Sequence, residues 1–184
     1  MIKDTVNFTK MWLFGHAQSN NPTIMLTLKN NWMKQALLEA RKALADNEVP
    51  VGAVVVKDDQ LLGRGYNRTQ ALTDPTAHAE ILAITSACQT LNSEHLKGAD
   101  IYVTLEPCAM CAGAIVLARI SRLYFAVHDL KTGACGSVFD IVREPRLNHT
   151  VEVYSGIYAD ESEQLLKDFF ERLRNNTIVE CGYS

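Results

Sequence analysis

The sequence predicts a layered α/β domain in which a sheet is covered by helices. Three observations carry this. The chain has 184 residues, 47% apolar and 21% charged, which is the size and composition of one ordinary globular domain. A β-branched run at 51–56 and a second apolar run at 61–66 flank a polar tetrapeptide, which describes a hairpin. From residue 78 onward, helix-like and strand-like segments alternate at the spacing of an α/β sheet.

Taken in order, residues 1–30 mix polar and scattered apolar residues without a sustained period and read as a poorly ordered extension. From Asn31, the residues Trp32, Met33, Ala36, Leu37, Ala40 and Leu44 recur at helical spacing, with Asn30 or Asn31 available as the N-cap. The hairpin follows, with Lys57-Asp58-Asp59-Gln60 at its turn. After a Thr-Asp-Pro break at 73–75, a helix is expected from His78 to about Leu91, a strand at 100–105, a helix at 108–119 and a strand at 122–127. A Gly-rich loop at 133–136 and a Pro-containing loop at 145 lead to a strand at 151–154. A final helix runs from about Asp160 to Arg174; Leu165, Leu166, Phe169, Phe170 and Leu173 form its apolar stripe, and Asp160, Glu161 and Glu163 suit its N-terminal dipole. Residues 31–174 thus make one domain, followed by a tail at 175–184.

A domain of roughly 150 residues buries about 70% of its unfolded surface, so a metal is not needed merely to fold it. The net charge of −3 gives no general signal for nucleic acid. Locally, residues 115–150 are mildly basic. The five cysteines, at 88, 108, 111, 135 and 181, lack a disulfide framework and fit a reduced compartment. The apolar cluster at Met11–Phe14 is too short for a signal peptide or a membrane span, so the expected location is the cytoplasm, with no membrane partner.

The chemistry concentrates in His78-Ala79-Glu80 and Pro107-Cys108-Ala109-Met110-Cys111, each at a helix start. Cys108 and Cys111 share one helix face, and a helix N-terminus favours thiolates. With His78 they form a ligand set that zinc prefers over Mg²⁺ or Ca²⁺. Three protein ligands leave a fourth position for a water whose pKa falls from 15.7 toward ~7. Glu80 is placed to shuttle protons without binding Zn²⁺ itself. An isolated C-x-x-C is commonly a redox pair or half of a structural zinc site. Here there is no second C-x-x-C, and the pair lies well beyond the first strand, after which a thioredoxin-like chain would carry it. H-x-E followed by P-C-x-x-C is the signature of zinc deaminases.

Further segments narrow the class: E-V-P-V-G-A-V at 48–54, G-Y-N-R at 65–68, D-P-T-A-H-A-E at 74–80, L-E-P-C-A-M-C-A-G-A at 105–114, K-T-G-A-C-G-S at 131–137 and R-L-N-H at 146–149. Across about residues 30–174 the chain resembles the bacterial tRNA-specific adenosine deaminases of the cytidine deaminase-like superfamily. The resemblance implies a three-layer fold with a five-stranded mixed sheet flanked by helices, a homodimer, and conversion of adenosine to inosine at wobble position 34 of an arginine tRNA. It also implies that Asn67 hydrogen-bonds the flipped nucleoside, that Asp129 and Lys131 line the groove for the anticodon stem-loop, and that Phe170 meets its unpaired bases. Bland alternatives stand beside these: Asn67 as a turn residue, Asp129 and Lys131 as solvated loop charges, Phe170 as core packing beside Phe169. At the level of function, the alternatives are a guanine or other free-base deaminase of the same fold, and a noncatalytic zinc-stabilised RNA-binding subunit. The second would typically lack Glu80. The chain departs from the family pattern in its first 30 residues and in a tail without basic residues.

Overall fold

The computed structural model describes the backbone of residues 22–181 and the side chains of residues 31–175. The poor order expected for the extension lies outside the described residues up to position 21, as does the end of the tail at 182–184. Helices α1 (Pro22–Ala45), α2 (Ala79–Leu91), α3 (Ala109–Leu117) and α4 (Ala159–Cys181) enclose strands β1 (Gly52–Lys57), β2 (Gln60–Tyr66), β3 (Asp100–Leu105), β4 (Arg122–Val127) and β5 (Glu152–Ser155). Two helix limits differ from the sequence expectation. Helix α1 starts at Pro22, ahead of the Asn30–Asn31 cap, because proline suits a first helical position where its missing N–H is not needed. Helix α4 continues past Arg174.

The sheet order is β2-β1-β3-β4-β5, with β1 antiparallel to both β2 and β3, and β3-β4-β5 parallel. Asp58 and Asp59 both take positive φ, 50° and 58°, the twist a two-residue hairpin turn requires. Period-2 alternation then sorts side chains between two layers. Val51, Ala53, Val55, Ile101, Val103, Leu123 and Phe125 pack with Ala79, Ala83 and Ala87 of α2 and Ala112, Ile115 and Val116 of α3. On the opposite face Val54, Val56, Tyr102, Tyr124 and Ala126 meet Met33 and Ala36 of α1. Leu165 of α4 closes against Leu37 and Ala40. Contact is closest at Gly52, where a Cβ would lie 2.1 Å from the Ala36 carbonyl, and at Gly63, where it would lie 2.3 Å from that of Ala83. Among the described residues, no helix is long and apolar enough to cross a membrane.

This topology gathers the chemistry at one sheet edge. β3 and β4 end there, releasing Glu106-Pro107-Cys108 and His128-Asp129 at the carboxyl ends of parallel strands, where α/β sheets place ligands. Because Gly52 of antiparallel β1 pairs with Tyr66, the end of β2 delivers Asn67 to the same edge.

Candidate active site

His78 and Cys108 occupy the N-cap positions of α2 and α3, and neither makes a side-chain capping hydrogen bond. His78 Nδ1 lies 3.8 Å from Cys108 Sγ and 3.6 Å from Cys111 Sγ. The three ligand atoms all fall within 4.8 Å of one another. For Zn–S near 2.3 Å and Zn–N near 2.0–2.1 Å, the edges of a tetrahedron are about 3.5–3.8 Å. The donor set and its spacing therefore fit one zinc ion.

Hydrogen bonds from Cys111 and His78 hold the Cys108 thiol down to about 4. Cys111 is pushed up by its bond to Cys108 and by burial. The bond to Cys108 raises His78. Glu80, the second residue of α2, is 3% exposed, and burial pushes its carboxyl up to about 6. Its Oε2 is buried without a hydrogen-bond partner, an orphaned acceptor beside the ligand cluster. Buried carboxylate oxygens are normally satisfied, so the orphan marks a position for a group that arrives with the reaction.

Asn67 is buried, and its Oδ1 accepts the Ala79 backbone N–H at 3.0 Å. It thereby caps α2 from outside and leaves its Nδ2 donors for a ligand. Lys131 and Phe170 share a groove of about 750 Å³ with Glu163, Leu166, Lys167, Leu173 and Arg174. Asp129 does not line it. Its carboxylate instead accepts the N–H of Lys131 at 2.8 Å and the Thr132 hydroxyl at 2.6 Å, closing the turn that presents Lys131. The apolar stripe of α4 divides: Leu165 and Phe169 enter the core, while Phe170 and Leu173 are about half exposed.

Of the three buried carboxylates unassigned from sequence, Glu39, Glu48 and Glu106, the last two order loops beside the site. Glu48 accepts the Thr69 hydroxyl and the N–H groups of Gln70 and Ala71, fixing the loop after Asn67. Glu106 does the same for the loop after β4, accepting the N–H of Asp129, Cys135 and Ser137 and the Ser137 hydroxyl. The available signal was an acidic residue interrupting an apolar stretch, at E-V-P-V and L-E-P-C.

An α/β sheet that sets a histidine and a C-x-x-C pair at two facing helix starts, with a buried glutamate between them, defines a deaminase. Residues 28–174 match the MafB19-like deaminase family. The chain belongs to that family and, within it, to the tRNA-specific adenosine deaminases. It is 47% identical to the tRNA-specific adenosine deaminase of Aquifex aeolicus over 82% of this chain and 99% of that protein, and 42% identical to that of Bacillus subtilis over 81% and 92%. A solved structure from a study of A-to-I editing by tRNA:A34 deaminases at the wobble position of transfer RNA is 50% identical, with a TM-score of 0.72 over 74% of this chain and 99% of that one. A guanine deaminase from Nitrosomonas europaea shares the fold at 24% identity and a TM-score of 0.64, covering 80% of this chain and 92% of its own.

Proposed function

We propose that this chain hydrolyses adenosine to inosine at wobble position 34 of tRNA, with an arginine tRNA as substrate and Zn²⁺ held by His78, Cys108 and Cys111. The single observation that carries the chemistry is the orphaned, buried Oε2 of Glu80 beside that ligand set. Zinc, when bound, is a Lewis acid that makes water acidic enough to attack at neutral pH. Glu80 takes one proton from the attacking water and gives it to the purine ring nitrogen, then carries the proton of the new hydroxyl to the amine, which leaves as ammonia. Its burial keeps bulk water from competing for that proton. Asn67, pinned through Oδ1, orients the nucleoside with Nδ2. Lys131 neutralises phosphate and Phe170 offers a face to an unpaired base of the anticodon loop.

Residues 31–174 form the deaminase unit, and the protein works as a cytoplasmic homodimer. Exposed Leu117, Leu130, Val138 and Phe139 supply apolar surface for a second copy. A closed free-base site would have no use for the groove under Lys131 and Phe170, which favours a polymeric substrate.

The Glu80→Ala variant tests the assignment on an anticodon stem-loop bearing a wobble adenosine. Metal content should stay at the wild-type value while the inosine-forming rate falls by about 10²–10⁴. Turnover retained by the metal-loaded variant contradicts the role given to Glu80.

A further inference from the structure

The side chain of Glu106 is fully buried, between the last residue of β3 and the zinc-ligand helix, yet every hydrogen bond it is given comes from one segment, residues 128–137. Oε1 accepts the N–H of Cys135 and of Ser137, both at 3.0 Å. Oε2 accepts the Asp129 N–H at 3.1 Å, the Ser137 hydroxyl, and a contact from His128 Nδ1 at 3.3 Å. Each oxygen thus holds two firm donors, close to what a carboxylate can accept. The segment is folded tightly over the carboxylate: a Cβ on Gly133 would come within 2.6 Å of it.

We propose that Glu106 is a positioning residue that joins the metal site to the RNA groove. It is the fixed point on which the 128–137 loop is built. This rests on the functional reading above and names a further residue for the same reaction. On one side Glu106 is chained through Pro107 to Cys108, and the loop returns to that junction through the Ala134 N–H on the Pro107 carbonyl at 2.8 Å. On the other side the Glu106–Asp129 bond fixes the turn whose next hydrogen bond, Lys131 N–H to Asp129 Oδ1, sets Lys131 in the groove. The β4–β5 connection contains no helix or strand, only turns and the isolated bridges Cys108–Gly133 and Cys135–Asp140, so an internal anchor adds to what holds this geometry.

Glu106→Gln keeps the shape and removes half of the acceptor set. Whichever way the amide is turned, its NH₂ faces two donors. In amide hydrogen exchange of the zinc-loaded protein, the Asp129, Cys135 and Ser137 amides of this variant should lose protection at least tenfold, while β1 and β3 amides keep theirs. Zinc stoichiometry should be unchanged. With the anticodon stem-loop, kcat/KM should fall at least tenfold, carried by KM. Glu106→Asp, which keeps the charge, should recover part of both effects. Ser137→Ala removes one donor without altering the buried carboxylate and should move exchange and KM the same way by about threefold, which keeps the test open if Glu106→Gln fails to fold. Wild-type loop protection in Glu106→Gln, loss of its zinc, or a fall confined to kcat overturns the proposal. The exchange measurement needs no substrate: loss of protection alongside a wild-type protein inert on the RNA would overturn the substrate reading and leave the anchor standing.

Discussion

Glu80 sits where its charge is least welcome. Burial raises its pKa from 4.5 to about 6, so the folded protein binds this proton more tightly than the unfolded chain does. The penalty is therefore absent below about pH 4.5 and fully present above about pH 6. At ~1.4 kcal/mol per pKa unit, it amounts to about 2 kcal/mol at neutral pH. Metal-free Glu80→Gln should accordingly be more stable than the metal-free wild type by up to that amount at pH 7.5, and the gain should vanish at pH 4. Urea unfolding at the two pH values checks this; equal midpoints at both would mean that the site does not store this strain. The His78, Cys108 and Cys111 cluster was readable in sequence because its side chains announce themselves: two cysteines one helical turn apart and a histidine at a helix start. Glu48 and Glu106 were not, because their partners are backbone N–H groups more than 20 positions away, which no side-chain pattern announces.

Helix α4 shows how one apolar stripe can serve two surfaces. Phe169 is 4% exposed and Phe170 is 47% exposed, with their rings edge to face at 5.3 Å. Adjacent residues on a helix point about 100° apart, so only one of the pair can enter the core. Truncating Phe169 to alanine should destabilise the fold by about 3–5 kcal/mol. Truncating Phe170 should leave the unfolding midpoint nearly unchanged and weaken binding of the anticodon stem-loop by about 1–3 kcal/mol. Denaturation and RNA titration of the two variants separate the roles; a reversal would exchange core and groove. The stripe itself was evident from its spacing, but its division was not, because it depends on which residues meet α1 and the sheet, as Leu165 meets Leu37 and Ala40. Strand order was equally beyond periodicity. What made β1 antiparallel to β3, and so brought Asn67 beside His78, was long-range pairing.

At the scale of the whole molecule, a net charge of −3 means that RNA affinity cannot come from the overall field. The proposed RNA groove offers Lys131, Lys167 and Arg174, clustered around one apolar surface. Few phosphate contacts imply a shallow salt dependence, and Lys131→Ala should reduce the slope of log affinity against log salt by about 1. An unchanged slope in titrations from low to physiological salt would remove Lys131 from the interface. The substrate reading rests on that groove. The account therefore turns on one assay. The zinc-loaded protein is incubated with an arginine tRNA bearing adenosine at position 34 and, in parallel, with guanine and with cytidine. Inosine at position 34, with no ammonia from either small substrate, is the predicted result; ammonia from guanine with the tRNA adenosine intact would contradict it.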